Sequence, residues 1–144
     1  MPSKGSRCGF TIVELTLGLL VIMTVALFAL PNVSRMQHIY RLAAASNDVQ
    51  AHLHYARIQA ISKNTDHRMR VTGPTTYVLE HREGGSWVMD RNYSLARGLS
   101  ISATGSTEFH PRGNANPVAT FTVTNPKTEV RQVLVDPSGY IHAQ

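Results

Sequence analysis

Residues 10–30 form an apolar run interrupted by a single charge, Glu14. As a helix rising about 1.5 Å per residue the run is about 31 Å long, which matches the ~30 Å hydrocarbon core of a bilayer. Its length therefore predicts one membrane-spanning helix. The preceding nine residues, MPSKGSRCG, carry Lys4 and Arg7 and no acid. By the positive-inside rule the N-terminus stays in the cytoplasm and everything after residue 30 lies outside. Two ordinary explanations compete, a cleaved secretory signal and a plain signal anchor. The first has a poor cut site: Ala26 and Ala29 are the nearest small residues, and Leu27 stands where a second one belongs.

Glu14 separates these alternatives from a third. A carboxylate toward the middle of a bilayer costs about 2.5–3.5 kcal/mol on insertion scales, and such groups are usually paired and functional. A cut after Gly9 would create an α-amino group on Phe10, four residues away, with a reference pKa of about 8 that leaves it largely cationic. On one helix the two groups lie within about a turn. Between helices, the amine of an incoming chain could neutralise Glu14 of one already in place, which would favour assembly in lipid.

The stretch Gly9-Phe10-Thr11-Ile12-Val13-Glu14-Leu15, followed by the apolar run, resembles the class III leader of type IV pilins and pseudopilins. The resemblance implies that a prepilin peptidase cuts after Gly9 and methylates Phe10, leaving Glu14 as the fifth residue of the mature chain. Pro31 lacks a backbone N–H and ends or kinks a helix; the family often bends there. The expected organisation is a leader over residues 1–9, a transmembrane and filament-core helix over 10–30, its amphipathic second half over 31–64, and a periplasmic head over 65–144.

Between residues 32 and 64 there is neither proline nor glycine, and Ile39, Leu42, Val49, Leu53, Ala56 and Ala60 recur at spacings of three, four or seven. That is one apolar stripe on an amphipathic helix. Counted from Phe10, a continuous helix would be about 80 Å long. Beyond residue 65 the pattern changes to short alternating runs, which predicts strands over 67–72, 76–82, 86–89, 99–103, 119–124, 130–135 and 140–143. Gly73-Pro74, Glu83-Gly84-Gly85 and Asp136-Pro137-Ser138-Gly139 read as turns, and residues 92–98 and 109–117 as loops. The fold class is α+β, a long helix packed on antiparallel sheet.

Within the head, Phe109-His110-Pro111-Arg112-Gly113, a strand around Phe121, and Val133-Leu134-Val135 running into the Asp136–Gly139 turn are similar to a narrower family. It joins the H-type minor pseudopilins of type II secretion with FimT-like minor pilins. The resemblance implies a pilin fold and a filament subunit near the tip of a periplasmic pseudopilus for protein export. Its partners would be other pseudopilins or pilins, the prepilin peptidase, the inner-membrane assembly platform, membrane lipid and exoprotein cargo. The FimT side implies an alternative, DNA binding for uptake, with Arg68, Arg70 and Arg112 as candidate contacts. The arginine-bearing GRxR element of DNA-binding relatives has no counterpart here, because Gly139 is followed by Tyr140-Ile141-His142.

Charge and chemistry exclude other classes. Lys plus Arg number 14 against 9 acids, and removing Lys4 and Arg7 leaves 12 against 9, too small an excess to announce a polyanion partner. The one cysteine, Cys8, falls in the expected leader, so the mature chain would carry no disulfide. His52 and His54 point about 200° apart on a helix. The other five histidines show no ligand spacing and are expected in loops or facing solvent. Ser138 sits in a turn without a recognisable base, and phosphate loops are absent. The sequence thus predicts no catalytic residue, no metal and no cofactor.

Overall fold

The computed structural model describes residues 11–144, apart from the side chains of residues 28–35. The expected cut between Gly9 and Phe10 therefore lies outside the described residues. By its internal contacts the chain divides into two units, with the boundary between Gln37 and His38.

One helix, α1, spans Ile12–Lys63, 52 residues. Thr11 caps its start: the Thr11 Oγ1 accepts the Glu14 N–H at 3.3 Å, and the Thr11 carbonyl accepts the Leu15 N–H at 3.1 Å. Threonine three positions before glutamate is the spacing of a capping box. At the other end Asn64 adopts φ 53° and the Thr65 N–H reaches back to the Ala60 carbonyl at 3.2 Å, so a left-handed residue stops the helix. Pro31 lies inside α1, whose backbone is helical on both sides of it. The proline is thus not a helix terminus.

In the first unit every described side chain from Ile12 to Leu27 is exposed. Among the described residues, no helix is long and apolar enough to cross a membrane. The stretch expected to do so, residues 10–30, extends past them at Phe10 and at the side chains of residues 28–30.

In the second unit the stripe behaves as its spacing predicts. Leu42, Val49, Leu53, Ala56 and Ala60 are buried, whereas Ile39, at the edge of the unit, is 41% exposed. Eight strands follow: β1 (His67–Gly73), β2 (Thr76–Glu83), β3 (Ser86–Ser94), β4 (Ser100–Ala103), β5 (Thr107–Phe109), β6 (Thr120–Thr124), β7 (Val130–Val135) and β8 (Ile141–Ala143). They form two antiparallel four-stranded sheets, ordered β3-β2-β1-β5 and β4-β6-β7-β8. Met69, Leu79, Phe109, Phe121, Val123 and Val133 close with the helix stripe around one core. Each such side chain taken from water contributes about 1.5–3 kcal/mol.

The expected turns form. Gly84 and Gly85, at φ 58° and 86°, make the two-residue β2–β3 hairpin, which needs positive φ at both positions. Two expected loops change. Residues 92–94 extend β3, because Thr76, Tyr77 and Val78 of β2 continue to pair with Ser94, Tyr93 and Asn92 beyond a β-bulge. The expected loop 109–117 begins as strand, since Thr107–Phe109 pairs with His67, Arg68 and Met69 of β1.

Candidate assembly surface

Three features stand out among the described residues, one an exposed helix face and two junctions inside the head. The first is the solvent side of α1 within the second unit. At about 100° per residue, Tyr40, Ala44, Asn47, Ala51, Ile58 and Ile61 line the side opposite the buried stripe. All six are exposed, and Arg41, Asp48 and Arg57 flank this line without entering it. A helix apolar on its core side and uncharged on its outer side is suited to burial on both.

The second feature joins the helix to the C-terminal hairpin. Arg57 Nε donates to the Gly113 carbonyl at 2.8 Å. Gly113, at φ 84°, ends the turn that began with buried Phe109, and its N–H donates to the His110 carbonyl at 2.8 Å. Gly139, at φ 79°, packs on the same carbonyl: a Cβ there would collide with the Gly113 oxygen and come within 2.9 Å of Arg57 Nε. The Ala115 N–H donates to the Pro137 carbonyl at 3.0 Å. The two glycine turns quoted from the sequence therefore meet at one point of α1. Arg57 is the residue that sequence reasoning missed; its only signal was a lone cation beside the apolar stripe.

The third feature gathers two of the three candidate DNA contacts. Arg68 lies directly opposite Glu80 in the β1–β2 ladder, with Arg70 one step along the same face. Arg68 Nε donates to Glu80 Oε2, and Arg70 NH2 to Oε1 at 3.0 Å. Glu80 is only 7% exposed, and burial alone would raise its pKa; the two guanidiniums outweigh that and hold it below the usual carboxylate range. Arg68 also stacks over Trp87, 4.1 Å from the ring centroid. Both arginines are thus spent on one buried acid. Arg112 is exposed in the turn before Gly113 and joins no ion pair among the described residues.

Of the remaining expected site residues, Glu14 is exposed in the first turn of α1. One of the five histidines expected in loops or facing solvent departs clearly from that. His67 is 2% exposed, inside the head, with Nδ1 bonded to the Thr65 carbonyl at 2.9 Å. His52 is half-buried and stacked on Tyr93. Among the described residues no three His, Cys, Asp or Glu groups are arranged to hold a metal ion.

The sequence profile of the family described as type II transport protein GspH matches residues 45–139, more than half of the chain. The matched span runs from the buried helix stripe to the glycine that packs on Gly113. No curated protein matches the sequence. Among solved structures, the type IV minor pilin FimU of Pseudomonas aeruginosa is similar with a TM-score of 0.63 at 18% identity, covering 76% of this chain and 92% of that one. The minor pseudopilin EpsH from the Type 2 Secretion System of Vibrio cholerae is similar with a TM-score of 0.63 at 12% identity, covering 72% and 96%. At such identities the likeness concerns the fold.

Proposed function

The chain belongs to the type II transport protein GspH family, and from that premise we propose that it is a minor subunit near the tip of the periplasmic pseudopilus of a type II secretion system. It is a pilin-like filament component that assembles with other pseudopilins or pilins, and it is not an enzyme. The observation that carries the filament reading is the apolar surface of α1 from Ile12 to Leu27, whose side chains are all exposed, and the match to a type II transport family favours secretion. Such a surface requires lipid before assembly and neighbouring helices afterwards.

In this proposal residues 10–30 anchor the precursor in the inner membrane, with the N-terminus cytoplasmic and the head periplasmic. The prepilin peptidase cuts after Gly9 and methylates Phe10, and the assembly platform extracts the matured chain. Methylation leaves the amine basic, so it still pairs with Glu14 of a neighbour. The hydrogen bond that Pro31 cannot donate makes it the place where α1 bends as subunits pack. Exoprotein cargo would meet the head.

The DNA-uptake alternative is weakened by Glu80, which holds Arg68 and Arg70 in place and offsets one of their two charges. Deleting the gene and complementing it with the full chain or with Glu14→Leu decides between the machines. The proposal expects exoproteins to accumulate in the periplasm of the deletion and of the Glu14→Leu strain. Normal export together with lost DNA uptake would overturn it. A Gly9→Phe chain should remain full length; an N-terminus still beginning at Phe10 would refute the assigned cut.

A further inference from the structure

Beside α1 in the second unit lies a groove of about 340 Å³ that the core does not fill. Its floor is aromatic: His52 stacks on Tyr93 with centroids 3.8 Å apart, Tyr93 on Tyr77 at 5.4 Å, and His52 Nδ1 bonds the Tyr77 hydroxyl at 2.8 Å. Burial, helped by Arg91 and opposed by Asp48, lowers the His52 pKa, so the ring is neutral at pH 7; burial also raises that of Tyr77, which keeps its proton. Ala44 and Ala45 leave the helix side shallow, and Leu95 and Leu99 form the opposite wall.

The rim carries two opposite charges, Arg41 and Asp48. They are seven residues apart on one flank of α1, about 10.5 Å along the axis. Neither joins an ion pair among the described residues. An apolar, aromatic hollow between an unpaired cation and an unpaired anion has a definite complement.

We propose that this groove is a docking site for an extended segment of a neighbouring protein subunit, in which a bulky aromatic side chain is flanked by an acid two positions to one side and a base two positions to the other. In a strand, positions i, i+2 and i+4 share one face and span about 13 Å. Flexible charged side chains close the difference to Arg41 and Asp48. The aromatic ring then enters over Tyr93 between Ala44 and Leu95, where it gains both stacking and apolar burial. A segment with two like charges would set one of them against Arg41 or Asp48. The proposal rests on the filament-subunit reading only in that filaments supply neighbours.

The test uses the full chain in detergent micelles and fluorescein-labelled, end-blocked Glu-Gly-Trp-Gly-Lys, followed by fluorescence polarisation. The mixed-charge peptide should bind about tenfold more tightly than its Glu/Glu, Lys/Lys or Trp→Ala versions, a difference of about 1.4 kcal/mol. Arg41→Glu should transfer the preference to the Lys/Lys peptide, and Asp48→Lys to the Glu/Glu peptide. Ala44→Leu, at an exposed position, should weaken all of them at least tenfold without changing the unfolding curve. Equal binding of the three charge patterns, an order unmoved by Arg41→Glu, or competition by free indole as strong as by the peptide would each overturn the proposal. Those outcomes leave the filament reading standing, because export by the complemented strain is measured separately.

Discussion

Leu20 and Leu53 belong to the same helix, yet the first is 64% exposed and the second 0%. Around Leu53 polar and charged residues alternate with the stripe, and the chain folds two sheets onto it. Around Leu20 the polar side chains Thr16 and Thr24 turn their hydroxyls back to the Val13 and Val21 carbonyls, and Leu17, Leu19, Val21, Ile22 and Met23 are exposed as well. The contrast teaches where the missing cover must come from. The head buries the stripe of α1 and leaves Tyr40, Ile58 and Ile61 exposed on the outer side, whereas the N-terminal unit buries none of its described apolar side chains, which in the proposed reading lipid or other chains cover.

The sharpest way to break that contrast is truncation on each side of it. Leu53→Ala should cost about 2–5 kcal/mol of head stability, as expected for a cavity in a close-packed core. Leu20→Ala should change it by less than about 0.5 kcal/mol. Denaturant unfolding of the full chain in micelles, followed by Trp87 fluorescence, measures both; a Leu20→Ala loss as large as that of Leu53→Ala would abolish the distinction.

Within the head, Gly139→Ala should cost about 1–3 kcal/mol, since it adds a Cβ at positive φ against a backbone oxygen that cannot move aside. Arg57→Met should cost about 1 kcal/mol for the lost hydrogen bond and the orphaned Gly113 carbonyl. Combining the two should not restore Gly139→Ala, because the clash with the Gly113 oxygen remains. Rescue by Arg57→Met would show that the arginine side chain alone selects glycine at 139.

Two smaller effects depend on pH. The folded-state pKa of Glu80 lies below its ordinary value of 4.5, so its contribution is present above pH 4.5 and disappears as pH falls through the folded value. Glu80→Gln should flatten that part of the acid unfolding profile; an unchanged profile would mean that the arginine pairs do not persist in solution. His52 is likewise lowered, from 6.5. Its contribution is present above pH 6.5 and declines as pH falls through its folded value, and His52→Gln should remove that decline from the stability profile below pH 6.5.

Much of this was legible in residue order. The stripe through Leu42, Val49, Leu53, Ala56 and Ala60 and the glycine turns required only local periodicity and positive φ. The missed features are all non-local. Strand β5 has three residues, too few to show alternation, and exists because β1 offers it an edge. The extension of β3 to Ser94 depends on pairing with β2. His67 was expected at the surface and lies inside because β1 has β2 on one side, β5 on the other and α1 across its face. Glu80 is visible as an alternating charge, but that it faces Arg68 follows only from the β1–β2 register. The Arg57 contact joins residues far apart in sequence, with no periodicity to announce it.

The central claim is that the uncovered helix is an assembly surface keyed by Glu14. Its most direct measurement combines N-terminal sequencing with cross-linking of the membrane-inserted full chain, co-produced with the other subunits of its filament, with one cysteine introduced at Ile58. The account predicts that the unaltered Glu14 chain begins at methylated Phe10 and cross-links to neighbouring subunits, and that Glu14→Leu begins at Phe10 yet gives no cross-link. Glu14→Leu chains that are cut at the same place and cross-link as efficiently would contradict it.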